Sequence, residues 1–226
     1  REICNVVEQT GRIDGSLLSP YPSMLFGLET AYLNMKNGRY LFDTPFSHGR
    51  CGIPINGLVW MGTAEEMNLR MEEKIKAGFS CVKLKIGAID FESELALVKS
   101  IRKRFSKDVI ELRVDANGGF SPDEAMDRLE VLARYDIHSI EQPIRQKQWS
   151  EMARLCSTTP LPIALDEELI GVNMKAMKEE LLSVIKPQYI VLKPTLHGGM
   201  RGTEEWVALA RQHGIGSWIT SALEGS

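Results

Sequence analysis

Five ionisable residues stand at the ends of five successive β-like segments of the sequence. They are Lys85, Asp115, Glu141, Asp166 and Lys193, in the order lysine, three carboxylates, lysine. Three carboxylates cannot meet in their ionised form without a cation, so their convergence would require a metal ion. Oxygen ligands with no His or Cys partner favour Mg²⁺, with Mn²⁺ as the alternative. The pattern therefore predicts a metal site formed by the three carboxylates.

Two lysines lie on one face of the segment Cys81–Gly87, CVKLKIG, whose alternation is typical of a β-strand. A buried ammonium group is costly unless a negative group lies beside it, and the carboxylate cluster would supply that charge. Burial and nearby positive charge, from the metal and from Lys83, would lower the pKa of Lys85 toward ~7–8, which suits a general base. We therefore predict abstraction of a proton α to a carboxylate by Lys85, with Lys193 across the metal.

Each of these short patterns has a plainer interpretation when it is taken alone. A K-x-K pair in a strand is more often a solvated sheet edge, and DAN followed by glycines is more often a turn. EQP, LDEE and LKP are ordinary beginnings of loops or helices. Their occurrence together, at the ends of consecutive strands, favours the catalytic interpretation.

The elements that would position these residues repeat along the chain. Seven β-rich runs begin about 24 to 28 residues apart, and segments of helical periodicity separate them. Capping boxes open two of these helices, at Thr63–Glu66 and Ser121–Glu124. No G-x-G-x-x-G follows a strand, so a (β/α) barrel fits better than a dinucleotide-binding fold. The runs are Ile53–Trp60, Cys81–Gly87, Val109–Ala116, Ile137–Pro143, Leu161–Glu167, Gln188–Pro194 and Ile215–Ser221.

A barrel of this kind closes with eight strands, so the pattern predicts an α/β barrel truncated after strand seven. The barrel is expected to occupy residues 51–226. Residues 1–50 differ from the rest. One amphipathic helix ends at Gly38, and a linker-like stretch follows it. We interpret 1–50 as the end of a preceding domain plus a linker.

Composition limits the possible partners. The formal net charge is −3, which gives no reason to expect nucleic acid or an anionic membrane surface. The four cysteines form no CxxC pair, which favours free thiols in a reducing compartment such as the cytoplasm. No apolar run approaches the roughly 20 residues needed to cross a bilayer. We expect a small-molecule carboxylate as the partner, while the oligomeric state is not indicated.

Taken together, KLK, DAN, EQP, LDE and LKP resemble the enolase superfamily, in its muconate-lactonizing subgroup, from about Ile53 onward. The resemblance implies an α+β capping domain, of which residues 1–50 would be the remnant, and a (β/α)₇β TIM-like barrel. It also implies the three carboxylates as Mg²⁺ ligands and Lys85 and Lys193 as the catalytic pair. Lys83 would be an auxiliary residue that tunes Lys85.

Within the subgroup, LKPTLHGG and ITSALEGS are most similar to lyases of menaquinone biosynthesis. These dehydrate 2-succinyl-6-hydroxy-2,4-cyclohexadiene-1-carboxylate to o-succinylbenzoate, a metal-dependent cleavage of a carbon–oxygen bond. A dipeptide epimerase or N-acylamino-acid racemase would use the same lysines and metal. Epimerases of the subgroup usually carry Asp-x-Asp after strand seven or eight, and ITSALEGS has none. A non-catalytic barrel that keeps a metal for stability is the other alternative, against which the two lysines argue.

Three further residues are candidates for substrate contact because of where they stand. Asn117 lies two residues after Asp115, and both Ser221 and Glu224 lie at the end of strand seven. Asn117 and Glu167 also flank predicted metal ligands, so each has a structural role as its alternative.

Overall fold

The computed structural model describes residues 2–222, in which seven strands alternate with helices. The strands are β1 (Gly57–Val59), β2 (Cys81–Lys85), β3 (Glu111–Asp115), β4 (Ser139–Glu141), β5 (Ile163–Leu165), β6 (Tyr189–Leu192) and β7 (Gly216–Ile219). The helices are α1 (Glu2–Thr10), α2 (Gly15–Leu18), α3 (Pro22–Asn37), α4 (Ala64–Lys76), α5 (Phe91–Arg104), α6 (Pro122–Ala133), α7 (Trp149–Thr158), α8 (Lys175–Ile185) and α9 (Gly199–Gln212). A 3₁₀ turn spans Glu167–Leu169.

The strands follow one another in the sheet in the order of the chain, and the paired strands β1 to β6 are parallel. Helices connect successive strands, which is the crossover that a parallel sheet requires. Seven strands are one fewer than a complete barrel contains. The prediction of an α/β barrel truncated after strand seven is confirmed.

Strand β1 is shorter than the predicted run Ile53–Trp60. Its register with β2 aligns Gly57 with Val82, so the residues before Asn56 lie beyond the start of their partner strand. Pro54 also lacks the N–H group that a ladder would need. The apolar residues of this stretch therefore lie outside the sheet, and Ile53 is mostly exposed.

The predicted helix signals are present. Thr63 begins α4 as its N-cap and donates its N–H to Glu66 Oε2 at 2.8 Å. Ser121 is likewise the N-cap of α6, and its N–H donates to Glu124 Oε1 at 3.1 Å. Helix α3 ends before Gly38, whose φ of 69° suits glycine. Both capping boxes and the stop at Gly38 are thus confirmed.

The chain forms two compact units. The first comprises residues 2–53, 169–180 and 192–222 of the described chain, and the second comprises 54–168 and 181–191. The core of the second unit is built from strand residues such as Val82, Leu84 and Leu112, which are fully buried. The boundary between residues 50 and 51 stays a prediction about domain organisation.

Within the first unit, a carboxylate of α3 caps the beginning of α9. Glu29 Oε2 accepts the N–H of Met200 at 2.6 Å. The N-cap of α9 is Gly198, which has no side chain of its own to accept such a bond. A Cβ at Gly199 would lie 2.3 Å from the same Glu29 oxygen, so only glycine fits there. Glu29 therefore replaces a local cap from 171 residues away.

Glu29→Ala should lower the free energy of unfolding by about 0.5–2 kcal/mol, the usual value of a lost helix cap. Glu29→Gln should lose less, because its amide oxygen can still accept the Met200 N–H. Chemical denaturation of both variants measures the difference. Equal losses in the two variants would mean that the hydrogen bond is not what Glu29 contributes.

Candidate active site

The three predicted metal ligands are brought together in the second unit. Asp115 and Glu141 are the last residues of β3 and β4 and lie opposite each other in the register, and Asp166 directly follows β5. Their residues are 0%, 2% and 1% exposed, respectively. The side chain of Glu141 forms hydrogen bonds with those of Asp115 and Asp166. The carboxyl groups therefore converge at the carboxyl-terminal ends of adjacent parallel strands.

The electrostatics follow from this crowding. Burial and the charge of Asp115 raise the pKa of Glu141 to about 9. Burial also opposes the ionisation of Asp115, but Lys83 and Lys85 outweigh it and hold the pKa of Asp115 below its usual value. A carboxyl group that keeps its proton can donate a hydrogen bond to a neighbouring carboxylate. When no cation is present, the cluster is therefore only partly ionised, because Glu141 keeps its proton.

The two lysines of β2 point at these carboxyl groups. Lys83 Nζ donates to Glu141 at 3.1 and 2.9 Å and lies 3.2 Å from Asp115 Oδ2. Lys85 Nζ lies 2.5 Å from the same Asp115 oxygen. Burial lowers the pKa of Lys83, but Glu141 and Asp115 outweigh it and raise the value overall. The side chains of Lys83 and Lys85 are only 12% and 11% exposed, and both ammonium groups have carboxyl groups as partners.

Asn117 links Lys85 to a fourth carboxylate. Lys85 Nζ donates to Asn117 Oδ1 at 2.7 Å, and Asn117 Nδ2 donates to Glu167 Oε1 at 2.8 Å. The backbone φ of Asn117 is 44°, in the left-handed region that Asn adopts more readily than most residues. Asn117 therefore forms a bridge between Lys85 and Glu167, and its predicted contact with substrate stays a prediction.

Trp60 is a neighbour of Lys85 that the sequence did not single out. It follows β1, is half-exposed, and its ring centroid lies 5.6 Å from Lys85 Nζ. A lysine at this distance from an indole face is attracted by a cation–π interaction. In the sequence, its position at the end of the first predicted strand, beside the strand that carries Lys85, could have indicated this contact.

A second overlooked residue holds the loop that follows β2. Glu94 Oε1 accepts the N–H groups of Gly87, Ala88 and Ile89 at 2.6, 3.1 and 3.3 Å. The φ of Gly87 is 86°, and a Cβ there would lie 2.9 Å from the carbonyl oxygen of Ala116. Burial raises the pKa of Glu94. The loop that begins two residues after Lys85 is therefore bound through its main chain.

The other candidates lie in the first unit or outside the described residues. Lys193 directly follows β6, and its main-chain N–H donates to His197 Nδ1 at 2.9 Å. Ser221 follows β7, where the N–H of Thr220 donates to the carbonyl oxygen of Leu192. Glu224 lies outside the described residues. The catalytic role of Lys193 and the substrate contacts of Ser221 and Glu224 stay predictions.

The donor chemistry of the cluster fits a hard divalent cation. All its donors are carboxylate oxygens, and with Glu167 the carboxyl groups outnumber the two lysines by four to two. In residues 2–222, however, no group of three His, Cys, Asp or Glu side chains is arranged so that it could hold a metal ion. Instead, the ammonium groups of Lys83 and Lys85 contact the carboxyl oxygens of Glu141 and Asp115. Cation binding would therefore require the carboxylates to exchange lysine contacts for the ion.

This chain belongs to the enolase C-terminal domain-like family, whose model matches residues 66–226. It is similar to an o-succinylbenzoate synthase from Desulfotalea psychrophila, with 52% identity over 208 residues, 91% of this chain and 56% of that protein. The crystal structure of MenC from the same organism matches with a TM-score of 0.85 and 47% identity, over 99% of this chain and 62% of that one. An L-Ala-D/L-Glu epimerase from Bacillus subtilis is 29% identical over 228 residues, 93% of this chain and 61% of that protein.

The chain thus spans between 56% and 62% of the length of these relatives. Within its described part, no helix combines the length and the apolar character that crossing a membrane requires.

Proposed function

We propose that the protein containing this chain is a metal-dependent carbon–oxygen lyase, an o-succinylbenzoate synthase. It would dehydrate 2-succinyl-6-hydroxy-2,4-cyclohexadiene-1-carboxylate in menaquinone biosynthesis. The observation that carries the proposal is the position of Lys85, whose ammonium lies at a cluster of buried carboxyl groups on the carboxyl-terminal strand ends. The 52% identity to an o-succinylbenzoate synthase supports the choice of substrate.

Lys85 would carry out both proton transfers of the reaction, and Lys193 would stabilise the intermediate. Unprotonated Lys85 would take the proton from the carbon α to the substrate carboxylate and leave an enediolate. It would then give that proton to the departing hydroxyl group, so that water is released and the ring becomes aromatic. Lys193 would stay protonated and stabilise the enediolate. Lys83, whose ammonium group lies at Glu141 and Asp115, is the proposed auxiliary residue beside Lys85.

The predicted ligands of the cation are Asp115, Glu141 and Asp166. Mg²⁺ is the expected ion and Mn²⁺ the alternative, since both accept an all-oxygen ligand set. Such a cation, when bound, supplies positive charge that stabilises the enediolate oxygens.

The proposal is tested with protein made from the complete reading frame that contains this chain. NMR should show o-succinylbenzoate formed from the cyclohexadiene carboxylate in the presence of Mg²⁺, and none after removal of the metal with EDTA. A folded, Mg²⁺-binding protein that makes no product would contradict the proposed reaction.

A dipeptide epimerase or N-acylamino-acid racemase is the second candidate, favoured by the 29% identity to an L-Ala-D/L-Glu epimerase. It would use the same lysines without losing a hydroxyl group. Exchange of the α-proton of dipeptides or N-succinylamino acids in D₂O, with no dehydration, would identify it.

We further propose a cytoplasmic location and a small carboxylate as the partner, with no nucleic acid and no membrane. All four cysteines are free thiols in the structure, which suits a reducing compartment. The net charge of −3 supports no affinity for polyanions.

Asn117→Gly should lower kcat about tenfold, the effect of losing one hydrogen bond that orients a reacting group. Glycine adopts the φ of 44° without strain, so stability should change little. Steady-state kinetics and thermal unfolding separate the two effects. If kcat stays at its wild-type value, the bridge between Lys85 and Glu167 does not serve catalysis.

A further inference from the structure

Gln142 follows Glu141 directly, and its side chain is fully buried and fully hydrogen-bonded. It is 0% exposed. Its Oε1 accepts the main-chain N–H groups of Asp166 and Glu168, each at 3.2 Å. Its Nε2 donates to the carbonyl oxygen of Ile144 at 3.0 Å and to Glu168 Oε2 at 3.3 Å. One amide thus connects the segment after β4 with the segment after β5.

The main chain of Gln142 extends the connection to neighbouring strands. Its N–H donates to the carbonyl oxygen of Ala164 in β5 at 2.9 Å, and its carbonyl accepts the N–H of Gly118 at 2.7 Å. Its φ is 41°, in the left-handed region that is unfavourable for a glutamine. Such strain persists only where the surroundings impose it, and it is concentrated at functional sites.

Glu168 completes the network from the other side. It is buried, and its Oε1 accepts the main-chain N–H of Lys147 at 2.7 Å. The segments after β4 and β5 are therefore joined at several points by hydrogen bonds of the buried residues Gln142 and Glu168. A buried network of this kind is rigid when all its members are satisfied.

We propose that Gln142 is a positioning residue that sets the spacing between the carboxyl groups of Glu141 and Asp166, and thereby the affinity of the site for a divalent cation. Glu141 precedes Gln142 in the chain, and the Gln142 side chain holds the main chain from which the Asp166 side chain extends. The amide acts as a spacer of fixed length between the two. This inference rests on the proposed metal site.

The amide group is specifically suited to this task. It accepts two N–H groups with one end and donates to a carbonyl and a carboxylate with the other. A carboxylate could not donate to the Ile144 carbonyl and would repel Glu168. An apolar side chain would leave the buried N–H groups of Asp166 and Glu168 without this partner.

The chain offers a matched control at the opposite end of β5. Gln188 Oε1 accepts the N–H of Ile163 at 2.9 Å, and Gln188 Nε2 donates to the carbonyl oxygen of Cys156 at 3.0 Å. Gln188 therefore anchors the first residue of the strand whose last residue precedes Asp166. Its amide also joins two segments of main chain by hydrogen bonds, but at the end of the sheet far from the carboxyl cluster.

The experiment compares Gln142→Met with Gln188→Met in protein from the complete reading frame. Mn²⁺ is the probe, and electron paramagnetic resonance measures its free concentration, so that the affinity is obtained without turnover. Thermal unfolding without metal measures stability. Both variants should be less stable than wild type, but only Gln142→Met should weaken Mn²⁺ binding, by about tenfold to a hundredfold.

Wild-type Mn²⁺ affinity in Gln142→Met would overturn the inference, and so would equal weakening in both variants. If the unsubstituted protein binds no Mn²⁺, the proposed metal site fails and the inference fails with it. If Gln142→Met does not fold, Gln142→Glu decides. It keeps the oxygen that accepts both N–H groups but faces Glu168, so it should bind Mn²⁺ more weakly than wild type. Unchanged affinity in that variant would overturn the inference.

Discussion

Lys85→Ala is expected to lower kcat by about 10²- to 10⁴-fold, the usual contribution of a positioned general base. The fold should persist, because Asp115 keeps Lys83 as a partner at 3.2 Å after the lysine is removed. Cation binding should also persist, since no predicted ligand is changed. Product formation by NMR, thermal unfolding and Mn²⁺ binding measure the three properties separately.

Two further variants make the Lys85 result specific. Lys85→Arg keeps the positive charge but cannot give up its proton near neutral pH, so it should be as inactive as Lys85→Ala. Lys76→Ala removes an exposed lysine at the end of α4 and should leave turnover unchanged. An active Lys85→Arg enzyme would show that Lys85 serves only as a positive charge and that another group is the base.

Glu141→Gln is expected to weaken cation binding and to leave the stability of the metal-free fold unchanged. Removing a central carboxylate should weaken Mn²⁺ binding by at least about 10²-fold, beyond the losses typical of groups outside the ligand set. The metal-free variant should be as stable as wild type at pH 7, because burial and Asp115 already raise the pKa of Glu141 to about 9. A neutral amide then replaces a carboxyl group that is mostly protonated.

The comparison for Glu141→Gln is Glu111→Gln, at the other end of β3. Glu111 pairs with Arg113 at 2.6 Å, far along the strand from the carboxyl cluster. The Glu111→Gln variant should bind Mn²⁺ as tightly as wild type. Binding assays and thermal unfolding on both variants give the result. Mn²⁺ affinity that survives in Glu141→Gln would remove Glu141 from the proposed ligand set.

Much of the site could be predicted because its residues share one position in a repeating unit. In a parallel sheet, side chains at equivalent strand ends become neighbours without any knowledge of tertiary detail. Lys85 opposite Asp115, and Asp115 opposite Glu141, follow from this alone. The charge pattern also anticipated that the lysines of β2 would need carboxylate partners.

The remaining features depend on contacts that no local pattern encodes. The amide of Gln142 meets main-chain groups 24 and 26 residues away, and Glu29 caps a helix 171 residues away. The bridge by Asn117 depends on a left-handed backbone that favours Asn but does not specify its partners. The late start of β1, at Gly57, depends on where β2 begins.

The loop held by Glu94 has a consequence for how such a site can diversify. All three hydrogen bonds use main-chain N–H groups, and the side chains of Ala88 and Ile89 are exposed. Substitutions at these two positions, other than proline, leave every one of those donors in place. The loop can therefore acquire new exposed side chains close to Lys85 while its main chain stays in place. The sequence of this loop can therefore vary while its conformation is kept, because the Glu94 carboxylate binds main-chain N–H groups and no side chain of the loop.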